Sequence, residues 1–117
     1  MLRKITTYGG YYDAFMETLT PKEQEKIEYG LMLLEIQDKI PAKFIGHIKD
    51  GLFELRIGYN GNIYRVFFIF DAGKIVVLFN GFQKKTQKTP SNEIEKAIKL
   101  KEEYYADKRA HEQSPNR

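Results

Sequence analysis

Residues 52–70 read LFELRIGYNGNIYRVFFIF, two runs of strand-like residues separated by Asn60-Gly61. Phe53, Leu55 and Ile57 alternate with Glu54 and Arg56, the period of a half-buried strand. Asn-Gly between two such runs is the strongest short-range hairpin signal, because both central residues of the favoured turn need positive φ. A two-residue turn fixes the register. Tyr59 pairs with Asn62, so Ile57 faces Tyr64, Leu55 faces Val66 and Phe53 faces Phe68. One face is then uniformly apolar, which a slip by one residue would destroy. On the other face Arg56 falls directly opposite Arg65.

Like charges directly opposite on a sheet destabilise it by something like a few tenths of a kcal/mol when exposed. An anion between them reverses that sign. A guanidinium is a rigid, permanently charged fork that matches phosphate. The pair therefore reads as a phosphate clamp. The alternative is that Glu54 or another acid neutralises one arginine and the pair is plain surface.

Outward from the hairpin, Asp71-Ala72-Gly73-Lys74 is a second turn and Ile75–Phe79 a third strand. With Ala72-Gly73 as a two-residue centre, Arg65 faces Asn80 and Ile63 faces Phe82. Alternation then carries Asn80, Phe82 and Lys84 to the arginine side, with Lys85 and Lys88 adding charge. Phe82 offers an aromatic face on which a base could stack, worth roughly 1–3 kcal/mol. The alternative for Phe82 is a core residue at the sheet edge.

Upstream, Leu2–Thr7 forms a short first strand and Tyr11–Thr18 begins a helix. Thr20-Pro21-Lys22-Glu23 is a capping box with proline at the first helical position. That helix runs to about Asp38, with Ile27, Leu31 and Leu34 as its buried stripe. Residues 41–48 read as a helical or irregular connector. Pro90, Ser91 and Glu93 open a last helix in which Ile94, Ile98 and Tyr105 face one way. The fold class is α+β: N-terminal helices on one face of a small antiparallel sheet (meander 52–80), then a C-terminal helix. The expected organisation is one domain over 1–107 and a flexible polar tail over 108–117.

The chain has 117 residues, room for one modest core. There is no cysteine, so disulfides and thiolate chemistry are excluded. No apolar run approaches the roughly 18 residues of a membrane span, and Met1-Leu2-Arg3-Lys4 lacks a signal-peptide stretch, so the expected compartment is the cytoplasm. The net charge of +3 is unevenly spread. Residues 43–88 hold eight Lys/Arg against three Asp/Glu, whereas residues 1–42 carry a net −2 and residues 89–117 are balanced. A basic segment inside a near-neutral chain suggests an anion or nucleic-acid site. His47 and His111 lie far apart in sequence, and residues 51–92 contain only Glu54 and Asp71 as acids, a poor set for a metal nuclease. No metal or cofactor is expected. RNA carries its own 2′-OH nucleophile, so a protein need only orient the strand, stabilise phosphorane charge and assist proton transfer. Lysines among other cations can move protons, and His47, Tyr59 and Tyr64 are further proton carriers to weigh.

The runs Leu52–Arg56, Asn62–Val66 and Leu78–Pro90, with Pro41–Phe44 and Glu93–Ala97, resemble the HigB-like, phage-related branch of the RelE/ParE toxins. The resemblance covers about residues 8–106, and its most specific part is the Asn80-Gly81-Phe82-x-Lys84-Lys85-Thr86 run. It implies a RelE-like fold with helices against one sheet face and an active cleft on the other. It also implies the toxin of a type II toxin–antitoxin pair, held inactive by a helix-turn-helix antitoxin, cleaving mRNA at the ribosome without metal. The family's basic catalytic positions are held here by Arg56, Arg65, Lys84 and Lys85, with Asn80, Phe82 and Lys88 beside them as RNA contacts. The alternatives are a ParE-like DNA gyrase inhibitor and an inactive RNA- or antitoxin-binding module.

Overall fold

A computed structural model describes residues 2–85 and 88–112. Its elements are β1 (Lys4–Thr7), α1 (Tyr11–Glu17), α2 (Pro21–Ile36), β2 (Ile45–Lys49), β3 (Leu52–Tyr59), β4 (Asn62–Asp71), β5 (Ile75–Lys84) and α3 (Ser91–Glu112). The strands form one sheet in the order β1-β5-β4-β3-β2. All neighbours are antiparallel except β1, which runs parallel to β5. The α+β class stands.

The β3–β4 register is the one the Asn-Gly turn dictates, from Tyr59 opposite Asn62 through Arg56 opposite Arg65 to Phe53 opposite Phe68. Asn60 and Gly61 take φ of 55° and 82°, the two left-handed residues that match the twist of a hairpin. The second hairpin differs from expectation. Its loop takes three residues, so Asp71 pairs with Ile75. A bulge then sets Phe67 against both Phe79 and Asn80, and beyond it Arg65 faces Phe82, not Asn80, and Ile63 faces Lys84. Each irregularity adds one residue. The two together restore parity, so Phe82 and Lys84 stay on the arginine side but sit two positions further along. The third strand also runs on to Lys84, past the Phe79 where the apolar run stops.

Residues 41–48 hold a strand the sequence reading missed. β2 pairs with β3 across Asp50-Gly51, a second turn with both central residues at positive φ.

The helices divide between the two sheet faces. α1 and α2 pack on the face of Leu55, Ile57, Tyr64, Val66 and Leu78. The expected capping box of α2 is present, with Thr20 Oγ1 accepting from Glu23 N and Thr20 N donating to Glu23 Oε1. Glu23 also accepts from the buried Tyr64 hydroxyl, which ties the helix start to β4. That hydrogen bond first, and the Thr20 amide second, hold the Glu23 carboxyl below its usual range. At the far end of α2 the Arg3 guanidinium donates to the carbonyls of Leu34, Gln37 and Asp38, which the helix leaves unpaired.

α3 packs on the opposite face, over Leu52, Phe67, Ile69, Val77, Phe79 and Phe82, through Ala97, Leu100 and their neighbours. The resemblance implied helices on one face and an open cleft on the other; the terminal helix instead covers half of the cleft face. It is pinned near its end by Lys108 Nζ and Tyr104 Oη on the Asp71 carboxylate, at 2.8 and 2.6 Å. The helix runs on to Glu112, and the rest of the tail expected over 108–117 lies outside the described residues.

Candidate functional site

The half of that face left open lies toward the Asn60-Gly61 turn. Lys43, Arg56, Ile57, Gly58, Ile63 and Arg65 line a groove of about 220 Å³ there. Beneath it sits Glu54, whose side chain is only 5% exposed. Its Oε2 accepts from Arg56 Nε at 3.1 Å, and its Oε1 lies 3.3 Å from Arg65 Nε. A single buried carboxylate therefore holds both arginines, where the sequence reading allowed it one. The Arg65 contact is an ion pair without hydrogen-bond geometry, and neither Oε1 nor that Nε has another partner among the described residues. Arg65 Nη1 donates to its neighbour's carbonyl at 3.3 Å. Burial pulls the Arg65 guanidinium below its ordinary value, Glu54 raises it again and Arg56 lowers it. Such a group gains from any further anion within reach.

Gly46 on β2 makes room for the second arginine. It lies opposite Glu54, and a Cβ there would stand 2.1 Å from Arg56 Nη2. The guanidinium thus rests on bare backbone while its side chain stays 40% exposed. Neither Gly46 nor Lys43 was singled out from the sequence. Their signal was the Asp50-Gly51 turn, which brings β2 back along β3, and for Lys43 also its place in the Pro41–Phe44 run of the resemblance.

The expected catalytic lysines and RNA contacts divide. Lys84 is half-buried at the end of β5, opposite the groove residue Ile63. Lys85 is exposed just after the strand, and Lys88 is exposed shortly before α3. Thr86 and Gln87 of the resemblance lie outside the described residues. Of the two readings of Phe82 the structure supports the core one: the side chain is buried and its ring stacks on Phe67 at 5.7 Å. Asn80 is likewise buried, and its Nδ2 donates to the carbonyl and the carboxylate of Glu93, which anchors the start of α3. Gly81 admits the Phe15 ring of α1, which a Cβ would meet at 2.5 Å. The Asn80-Gly81-Phe82 run thus clasps a helix to each sheet face, and the basic groove is built mainly by β2, β3 and β4.

The proton carriers named from the sequence lie elsewhere. Tyr64 is in the core, with burial first and Glu23 second raising its phenol. Tyr59 lies beneath Lys26 of α2, and His47 packs against Phe53, both on the face that α1 and α2 cover. Lys43 lines the groove, and Lys84 and Lys85 lie at and just after the end of β5, where Lys84 pairs with the groove residue Ile63. Among the described residues no three His, Asp or Glu converge as metal ligands, and no helix is long and apolar enough to cross a membrane.

The family model described as "Phage derived protein Gp49-like (DUF891)" matches residues 14–102, a stretch that contains every groove residue. No curated protein matches the chain.

Proposed function

The chain belongs to the Gp49-like family of phage-derived proteins, a family associated with the toxins of toxin–antitoxin pairs, and on that premise we propose that it is an endoribonuclease that cleaves mRNA. The observation that carries the reading is the groove in which Lys43, Arg56 and Arg65 converge over the buried Glu54. Two arginines held by one carboxylate, with Lys43 beside them, suit a phosphate whose charge grows in the transition state. The 2′-oxygen attacks the adjacent phosphorus, the bond to the 5′-oxygen breaks, and the 2′-proton is balanced by one delivered to the leaving oxygen. The products are a 2′,3′-cyclic phosphate and a 5′-hydroxyl. Arg65 and Arg56 hold the non-bridging oxygens, and Lys43, Lys84 and Lys85 supply charge and proton exchange near the scissile bond. Asn80 and Phe82 then act at most through the framework that carries these groups, and the exposed Lys88 is the proposed RNA contact. Within the toxin superfamily the proposed branch is the HigB-like one, with a ribosome-bound message as substrate and a helix-turn-helix protein as the cognate antitoxin.

Mapping mRNA 5′ ends in a cell-free translation reaction tests this. The wild-type chain should generate new 5′ ends within coding sequence, and Arg65→Ala should lower their yield about 10²–10³-fold, the scale of losing one oxyanion donor. Intact mRNA with the wild type, or Arg56→Ala and Arg65→Ala chains that still arrest growth, overturns the reading. DNA breaks with intact mRNA would transfer the chain to the gyrase-poisoning branch.

A further inference from the structure

With Phe82 buried, the open groove has no aromatic group of its own among its lining residues, yet a single-stranded RNA site commonly stacks its bases on aromatic rings. An aromatic hollow of about 180 Å³ adjoins it, lined by Lys26, Tyr29, Phe44, Ile57 and Gly58. The two hollows share Ile57 and Gly58. Their junction exists because β2 is short. It begins only at Ile45, Phe44 O accepts from Arg56 N at 2.7 Å, and the chain before it comes in through a turn at Ala42–Phe44. The edge of β3 beyond Arg56 is left uncovered. Main-chain groups alternate along a strand, so the Gly58 amide points the same way as that of Arg56, out of this edge. The space over Gly58 is open, since a Cβ there would meet nothing closer than Asn62 O at 3.9 Å.

Tyr29, on α2, is 52% exposed. Its ring meets Phe44 edge-on at 6.5 Å. Lys26 and Lys43 flank the hollow and lie over the rings of Tyr59 and Phe44. Ring faces between cations suit a base whose phosphate lies in the adjoining groove. We propose that Tyr29 and Phe44 form a nucleobase-stacking subsite, reached across the β3 edge at Gly58, for a nucleotide next to the phosphate held by Lys43, Arg56 and Arg65. The subsite rests on the ribonuclease reading. It adds that the strand bends over the sheet edge, and that selectivity at the neighbouring nucleotide comes from stacking on α2.

The test uses full-length chains in the cell-free translation reaction, with cleavage rate and the base composition flanking each cut as readouts. Tyr29→Ala should cut about tenfold more slowly, as removal of one stacking partner usually does, and should flatten the base bias at one position beside the cut. Tyr29→Phe and Tyr29→Trp should restore both. Gly58→Val, a β-branched residue placed in open space on a strand, should keep the fold and reproduce the Tyr29→Ala defect by closing the passage. Tyr11→Ala, an exposed aromatic on α1 outside either hollow, should change nothing. Wild-type rate and bias in both Tyr29→Ala and Gly58→Val overturn the subsite while leaving the ribonuclease intact; Tyr29 then belongs with Met32 and Ile36 to an apolar stripe suited to a protein partner. A wild-type chain that cleaves no RNA overturns both readings.

Discussion

Along β4 the side chains on the α3 face run Ile69, Phe67, Arg65, Ile63; the first two are sealed under α3 and the last is open to solvent. β5 repeats the gradient from Val77 and Phe79 to Lys84, and β3 repeats it from Leu52 through Glu54 and Arg56 to Gly58. One sheet face is thus apolar and covered at one end, cationic and uncovered at the other. The two halves depend on each other. The covered half supplies burial energy and a low-dielectric wall, which strengthens the field of the arginines beside it. The open half carries like charges that a sheet tolerates only because Glu54 lies between them at the boundary. Stability and charge are segregated within three strands, and α3 is the element that draws the line.

The division can be attacked from either side. Phe67→Ala in the covered half should have the largest effect on stability, about 3–5 kcal/mol by denaturant unfolding. Cleavage per folded molecule should survive, and a loss of cleavage per folded molecule would show that the halves are not separable. Glu54→Gln strikes the boundary. It should cost about 1–3 kcal/mol, because two arginines lose their buried counter-charge. It should also tighten RNA binding and steepen its salt dependence by about 0.7 in the logarithmic slope. An unchanged slope would mean that Glu54 does not compete with phosphate.

Gly46→Ala probes the open half alone. The new methyl displaces the flexible end of Arg56, so cleavage should fall about ten- to a hundredfold while the melting temperature hardly moves. Equal loss of both would make Gly46 a packing residue. The smallest effect should come from pH. Hydrogen bonds from Lys108 first, and Tyr104 second, hold the Asp71 carboxyl below its ordinary value. That contribution is complete above the unfolded value of about 3.9 and is lost as pH falls through the lower folded value. The end of α3 should loosen in that acid window, visible as a change in tyrosine near-ultraviolet circular dichroism. Asp71→Asn, which lacks the charge, should show no such step; a step of the same size in the variant would assign it to another carboxyl, such as Glu23.

The features legible in the sequence are the local ones. The Asn60-Gly61 turn set the β3–β4 register, and with it the Arg56–Arg65 pair, because two left-handed residues leave one way to pair the flanking runs. Thr20 and Glu23 marked the start of α2 for the same kind of reason, a bond closed within three residues. β2 was overlooked although Asp50-Gly51 repeats the turn chemistry, since Ile45–Lys49 is short and Gly46-His47 interrupts its apolar pattern. On β5 the loop of three and the bulge each shifted the register by one. The side of the sheet assigned to Phe82 and Lys84 therefore survived, while their partners did not.

By itself, then, the sequence determined the α+β class, the first hairpin and the facing arginines, all fixed by interactions a few residues apart. Only the tertiary structure decided what surrounds those arginines. It seated Glu54 beneath both, laid Arg56 over Gly46, brought Lys43 into the groove, and placed Phe82 and Asn80 under α3. The Arg56 and Lys43 placements turn on how β2 folds back along β3, and the burial of Phe82 and Asn80 turns on where α3 settles. Its apolar stripe shows that it must bury one side but not which part of a face it will cover, because that choice is made by packing against three strands at once.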